Sequence, residues 1–172
     1  MASFQISRHR LTLNLRNTAR INQWLKELIP DLTLRERLVQ GPEVMLRTWK
    51  TEAEEGKMVK AEIQRLVSQG VKPQRITILS THRQENSSLA SLDRIKEWQL
   101  DTGGNPRSAN LKFSTIRKYK GLESDIVFLI GITPDSKVST LADIYVGSSR
   151  ARFLLYVFHR DDWDVRGDGE IS

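Results

Sequence analysis

Three apolar runs in this chain are each followed by polar residues, with at least one arginine or lysine after each. "LTLNL" (11–15) leads into Arg16, Asn17 and Thr18, and "RITILS" (75–80) leads into Thr81, His82 and Arg83. "LKFSTI" (111–116) leads into Arg117, Lys118, Lys120, Gly121 and Glu123. Arginine and lysine at neutral pH donate hydrogen bonds and positive charge but do not shuttle protons, so this set suits phosphate recognition better than general acid–base catalysis. Rival chemistries lack their signatures. The chain has no GxSxG, no HExxH, and no convincing pair of carboxylates near a histidine. It has no cysteine, and its three histidines (His9, His82, His159) are scattered, so no metal site is expected. It also lacks G-x-x-x-x-G-K-[ST], so it cannot cradle a triphosphate with a P-loop of its own.

The elements that must position these residues follow from hydrophobic period. Asn17 or Thr18 is placed to cap a helix with Ile21, Trp24, Leu25 and Leu28 on one face, ended by Pro30. "TLRERL" (33–38) reads as a brief helix and "VMLRTW" (44–49) as a strand. Thr51 and Glu54 resemble a capping box opening a longer helix with Val59, Ile63, Leu66 and Val67 inward, closed by Gly70 and Pro73. A helical stretch is expected through Leu89, Leu92, Ile95 and Trp98. "DIVFLIG" (125–131) reads as a strand, and "SKVSTLADIYVGSSRAR" (136–152) as a helix with Val138, Leu141, Ala142 and Tyr145 inward. "FLLYVF" (153–158) reads as the last strand. Trp24 and Trp98 are expected in the core, and Tyr119 is left open between packing under its turn and facing the basic site. Continuous apolar strands alternating with amphipathic helices predict a three-layer α/β domain with a mainly parallel sheet. In such sheets ligands collect beyond the carboxyl ends of the strands, so the basic residues are expected along one edge.

The size, 172 residues, suits one domain, here expected over 1–160, with an acidic tail over 161–172 that is expected to be disordered. That tail carries five acids and one arginine; the rest has 26 basic and 16 acidic residues, a net charge of +10. This balance favours a polyanionic partner. No apolar run reaches the ~18 residues of a membrane span, and no signal peptide is visible, so a cytoplasmic location and no membrane partner are expected.

Taken in order, "LTLNLRNTARI" (11–21), "FSTIRKYKGLESDIVFLIG" (113–131) and "YVGSSRARFLLYV" (145–157) resemble motifs IV, V and VI of superfamily 1 helicases of the UvrD/Rep type. "RITILSTHRQ" (75–84) is similar to the strand and turn those proteins carry between motifs IV and V. The resemblance implies a RecA-like fold and the second, C-terminal motor domain of an ATP-dependent DNA helicase or translocase. ATP and Mg would be held mainly by a separate N-terminal RecA-like domain of the same protein, so the chain alone is expected to hydrolyse no ATP. A chain that starts just ahead of motif IV is also expected to be one part of a longer protein.

By position, the resemblance makes Arg16 and Arg150 the catalytic arginines that clamp the departing phosphate. Such fingers contribute roughly 10³- to 10⁵-fold in related phosphoryl transfers. Gly121 and Glu123 would join them at the nucleotide, with Glu123 on a ribose hydroxyl. Thr115, Arg117, Lys118, His82 and Arg83 would contact single-stranded DNA, or RNA. Arg150 is preferred to Arg152, because continuing the last helix aims Arg150 away from the core and Arg152 nearer to it. Two positions depart from the family: Arg117 stands where histidine is frequent, and Ser149 where threonine is common. Only about 27 residues (84–110) occupy the place of the large accessory domain, which resembles the compact branch of the family. The alternative is a binding module without ATP-driven activity that uses the same basic surface for nucleic acid or protein.

Overall fold

The run from Ser124 to Ile132 is apolar on both of its faces, and it becomes an interior strand of the sheet. The structure is a computed structural model that describes residues 13–14, 17–32, 35–36, 39–103, 109–134, 137 and 139–164. In chain order the elements are β1 (Leu13–Asn14), α1 (Ala19–Leu28), β2 (Arg35–Glu36), β3 (Met45–Trp49), α2 (Glu52–Ser68) and β4 (Ile76–Ser80). They continue with β5 (Arg94–Ile95), β6 (Trp98–Asp101), β7 (Leu111–Thr115), β8 (Ser124–Ile132), α3 (Leu141–Ser148) and β9 (Ala151–Arg160). Seven strands form one sheet in the order β3-β9-β8-β4-β7-β6-β5, parallel throughout except for the β5–β6 pair. This is the three-layer α/β architecture expected of a RecA-like domain. None of the described helices is long and apolar enough to cross a membrane.

Alternation along the strands feeds two cores. Val127 and Leu129 of β8, with Leu155 and Val157 of β9, pack against Ile21, Trp24, Leu25 and Leu28 of α1 and Ile144 of α3. Ile126, Phe128 and Ile130, with Tyr156 and Phe158, face Val59, Ile63 and Leu66 of α2. Phe128 stacks on Tyr156 with ring centroids 4.4 Å apart. The alternation breaks at Gly131, where the β8–β9 register shifts and φ is +77°. The extra residue puts Ile132 on the first face although Ile130 lies on the second.

Helix starts follow the expected chemistry. Thr18 caps α1 through its side chain, and Thr51 caps α2 by accepting from Glu54 N–H at 3.3 Å. The Glu54 carboxylate accepts from Lys50 N–H, one residue before the cap, so the box does not close on Thr51 itself. α3 begins with a full capping box between Thr140 and Asp143.

Three local expectations are corrected. Residues Arg35–Glu36 are not helical but pair in parallel with β1, outside the main sheet. The stretch expected as a helix through Leu89, Leu92, Ile95 and Trp98 instead holds the hairpin β5–β6, turning at Lys96 (φ +54°) and Glu97. Its apolar spacing of three matches a helix, yet β6 gains more by adding to the open edge of β7, which leaves Leu89 and Ile95 buried. Finally, α3 stops at Ser148 and Ala142 is exposed, its place in the core taken by Ile144, while Leu141 and Tyr145 pack inward as expected. Val138 lies outside the described residues.

Trp163 is buried beside Trp24 (6.4 Å between ring centroids) and His159 (5.2 Å). Residues 165–172 lie outside the described residues.

The second turn of α2 sits hard against the loop before β5: a Cβ on Gly56 would lie 2.6 Å from the backbone oxygen of Ser88. Gly56→Ala is therefore expected to destabilise the domain by about 1–2 kcal/mol, the overpacking cost outweighing alanine's better helix propensity. Denaturant melts of the two proteins check this; an equal or higher midpoint for the variant would show that the contact yields freely.

Candidate functional site

Strands β4 and β7 end side by side, with Ser80 paired to Thr115. Thr81, His82 and Arg83 follow the first, and Ile116, Arg117 and Lys118 follow the second, so both groups emerge at the carboxyl rim of the sheet. Two clefts flank Thr115 there. One, of about 430 Å³, is lined by Arg83, Gln84, Phe113, Thr115 and Lys118 among others. The other, of about 470 Å³, is lined by Thr81, His82, Arg83, Thr115, Arg117 and Asp143 among others. The structure thus brings His82, Arg83, Thr115, Arg117 and Lys118 together.

The cations at this rim are held loosely. Arg117 Nε lies 3.6 Å from Asp143 Oδ1, with the arginine side chain 69% exposed. Arg83 faces Glu85 at 4.0 Å, both well exposed. Lys118 Nζ donates to the Thr102 carbonyl at 3.1 Å. Solvent-exposed pairs of this kind contribute little, so an incoming phosphate can replace the carboxylates at small cost.

Gly121, Glu123 and Arg150 lie elsewhere, and the single-edge expectation is corrected here. β7 and β8 both run parallel to β4 and flank it, so the chain must return from the carboxyl end of one to the amino end of the other. Residues 116–123 make that return, and their last part reaches the amino rim. Tyr119 packs beneath the crossover, its hydroxyl donating to the Glu123 carbonyl at 2.9 Å. Gly121 has φ +85° and open space where a side chain would point, so glycine serves the backbone turn.

Glu123 faces Arg152 at 4.0 Å; Arg152 also approaches Asp125 at 3.9 Å, and Asp125 pairs with Arg75 at 2.7 Å. Arg150 stands beside this group, its carbonyl accepting from Ser124 N–H at 3.0 Å and its Nε donating to the Val146 carbonyl at 3.1 Å. Because α3 has already ended, Arg150 lies in the turn after it and Arg152 lies on β9, exposed and ion-paired, not near the buried face of a helix. Arg16 lies outside the described residues. Its neighbour Asn17 is buried and donates to the carbonyls of Ser149 (3.2 Å) and Ala151, so the end of the first segment meets the third at the amino rim. β1 pairs with β2 and not with the main sheet, so the expectation that its end lies at the carboxyl rim does not apply to it.

Two acids at the carboxyl rim went unseen in the sequence. Asp143 was signalled by the T-x-x-D spacing of Thr140–Asp143. Glu55 was signalled by its place at i−4 from Val59 and i−8 from Ile63, on the buried face of α2. Glu55 is 1% exposed, and its Oε1 accepts from Gly131 N–H at 2.7 Å. The Gly131 carbonyl in turn accepts from Thr81 Oγ1 at 2.8 Å, and Thr81 lines the second cleft. Burial pushes the Glu55 carboxyl up to about 7 from an ordinary 4.5, more than Ser88, Gly131 N–H and Trp49 lower it. The Ser88 hydroxyl and Trp49 indole stand near it without reaching full hydrogen-bond geometry.

No protein-family model matches the chain, and no curated protein matches it in sequence. Among solved structures it is similar to the C-terminal domain of a possible DNA helicase from Lactobacillus plantarum WCFS1. The TM-score is 0.61 and the identity 18%, over 84% of this chain and 86% of that one. The likeness shows a shared fold, the α/β fold of a RecA-like domain.

The raised Glu55 carboxyl gives stability a direction in pH. The folded state holds the proton more tightly than the unfolded chain, so stability is fullest below about 4.5, as far as this group is concerned, and falls as pH rises through 7. The loss amounts to roughly 3 kcal/mol. Glu55→Gln is expected to flatten that decline between pH 5 and 8. Denaturation midpoints across the range check it, and a wild-type midpoint that rises with pH at the same rate as the variant's would refute it.

Proposed function

We propose that this chain is the C-terminal motor domain of an ATP-dependent DNA helicase or translocase of the UvrD/Rep type. The observation that carries the reading is the division of one basic constellation over two rims joined by one crossover. A single strand suits the carboxyl rim, where the clefts present Arg83, Arg117 and Lys118 beside Thr115 and His82. A nucleotide held by a separate N-terminal RecA-like domain suits the amino rim, where Arg150, Gly121 and Glu123 lie, with Arg16 in sequence beside Asn17. Leu122 and Phe153, each about half exposed, flank the Glu123–Arg152 pair in sequence and suit coverage by that domain. The fold shared with the C-terminal domain of a possible DNA helicase supports the same reading.

In this arrangement Arg150, with Arg16, stabilises charge on the departing phosphate, Glu123 accepts from the ribose, and ATP with Mg is held mainly by the partner domain. That partner would also supply the P-loop that this chain lacks. At the carboxyl rim, the strand's phosphates displace Asp143 and Glu85 from Arg117 and Arg83.

The chain alone is expected to hydrolyse no ATP. Joined to its nucleotide-holding domain, it should turn over ATP in response to single-stranded DNA, and Arg150→Ala should lower that rate on the order of 10³-fold. Sustained turnover by the chain alone, or a full-length rate indifferent to Arg150→Ala, would overturn the motor reading. Binding to single strands that no ATP analogue alters would favour the binding-module alternative. Arg117→Ala and Lys118→Ala should each weaken oligonucleotide binding and reduce its salt slope by about 1. Unchanged slopes in both variants would take the strand away from this rim.

A further inference from the structure

Behind the second cleft, a continuous relay of hydrogen bonds runs from the interior to the groove wall. Glu55 Oε1 accepts from Gly131 N–H, the Gly131 carbonyl accepts from Thr81 Oγ1, and Thr81 N–H donates to the Ile130 carbonyl at 3.4 Å. The bulge and the loop are also in tight steric register, since a Cβ on Gly131 would lie 2.7 Å from Thr81 Oγ1. One residue further on, His82 N–H donates to Ser80 Oγ, and His82 and Arg83 line the cleft. A carboxyl group 1% exposed at this point is costly to bury, and helix packing alone would be served better by an apolar side chain. Its partner, the Gly131 N–H, is the donor exposed by the bulge, which would otherwise be left unpaired.

We infer that Glu55 is a positioning residue of the strand-binding groove: by holding the β8 bulge at Gly131 it fixes Thr81 and, through Thr81, the His82–Arg83 turn. The inference rests on the groove reading of the carboxyl rim given above. The groups that face the carboxyl are Glu52 on its own helix, the Trp49 indole from β3, the Ser88 hydroxyl from the loop before β5, and Gly131 N–H from β8. Of these only Glu52 carries charge, so the state of Glu55 is set mainly by burial. A change in its ionisation is therefore passed to Gly131 and Thr81 and not absorbed by a counter-ion.

The test uses the whole chain, a fluorescent oligothymidylate as probe, and amide resonances of Gly131, Thr81 and His82. Glu55→Ala removes the acceptor, whereas Glu55→Gln keeps an oxygen for Gly131 N–H and cannot titrate. Glu55→Ala is expected to weaken oligothymidylate binding about five- to tenfold, and Glu55→Gln to restore it to within about twofold. Thr81→Val should weaken binding similarly, and adding Glu55→Ala to it should cost little more, because both break one relay. In the wild type the three amides should shift together as pH passes through neutrality, and in Glu55→Gln they should not. Should Glu55→Ala fail to fold, the pH series and the Gln and Val variants still decide the matter. Amides that ignore pH, or binding equally strong in Glu55→Ala, would overturn this inference alone. Failure of the wild-type chain to bind oligothymidylate at all would overturn the groove reading and this inference with it.

Discussion

The arrangement of this domain depends on one topological constraint: β7 and β8 lie on either side of β4, and all three run the same way. Parallel strands cannot be joined by a hairpin, so the connection must run back along the length of the sheet. Here it does so in eight residues and without a helix of its own. The constraint explains why a single short segment, 116–123, places cations at one end of the sheet and a glycine and glutamate at the other. Tyr119 anchors the passage, its ring buried under the segment and its hydroxyl donating to the Glu123 carbonyl.

Charge is distributed to match. At the carboxyl rim, Arg117 and Arg83 are exposed and each paired to a single carboxylate, of which Asp143 also closes the capping box of α3. At the amino rim, Glu123, Arg152, Asp125 and Arg75 form a chain of alternating sign. Cations offered singly suit a flexible polyanion. The alternating group spreads its charge over several partners, although its Arg152 contacts, at 3.9 and 4.0 Å, are no tighter than those of the other rim.

Much of the layered fold was legible because its signals are local. The helix caps at Thr18 and Thr51, the apolar face of α1 and the continuous run of β8 each follow from period or capping chemistry over a few residues. The residues of the carboxyl rim were legible for the same reason, since each follows its strand directly. What escaped depends on contacts between distant segments. The spacing of Leu89, Leu92, Ile95 and Trp98 fits a helix, and only the open edge of β7 makes it a hairpin. The short strand at Leu13–Asn14 reads like part of the main sheet, and only its pairing with Arg35–Glu36 removes it. The separation into two rims follows from strand order, which hydrophobic period does not encode. Trp163 sits among acids in the sequence, yet the apolar surface of Trp24 buries it.

The sheet between the two rims is buried on both faces and hydrogen-bonded across its width, which makes it stiff. From the Ser80–Thr115 end to Ser124 is six residues along β4 and β8, roughly 20 Å at about 3.3 Å per residue. That distance is a lever arm. If the amino rim is the fulcrum, a tilt of about 10° sweeps the carboxyl rim through roughly 3–4 Å, comparable to the spacing of successive nucleotides in a stacked strand. On the proposed assignment of strand and nucleotide to the two rims, a small closure at one edge is geometrically sufficient to advance the strand at the other by one base.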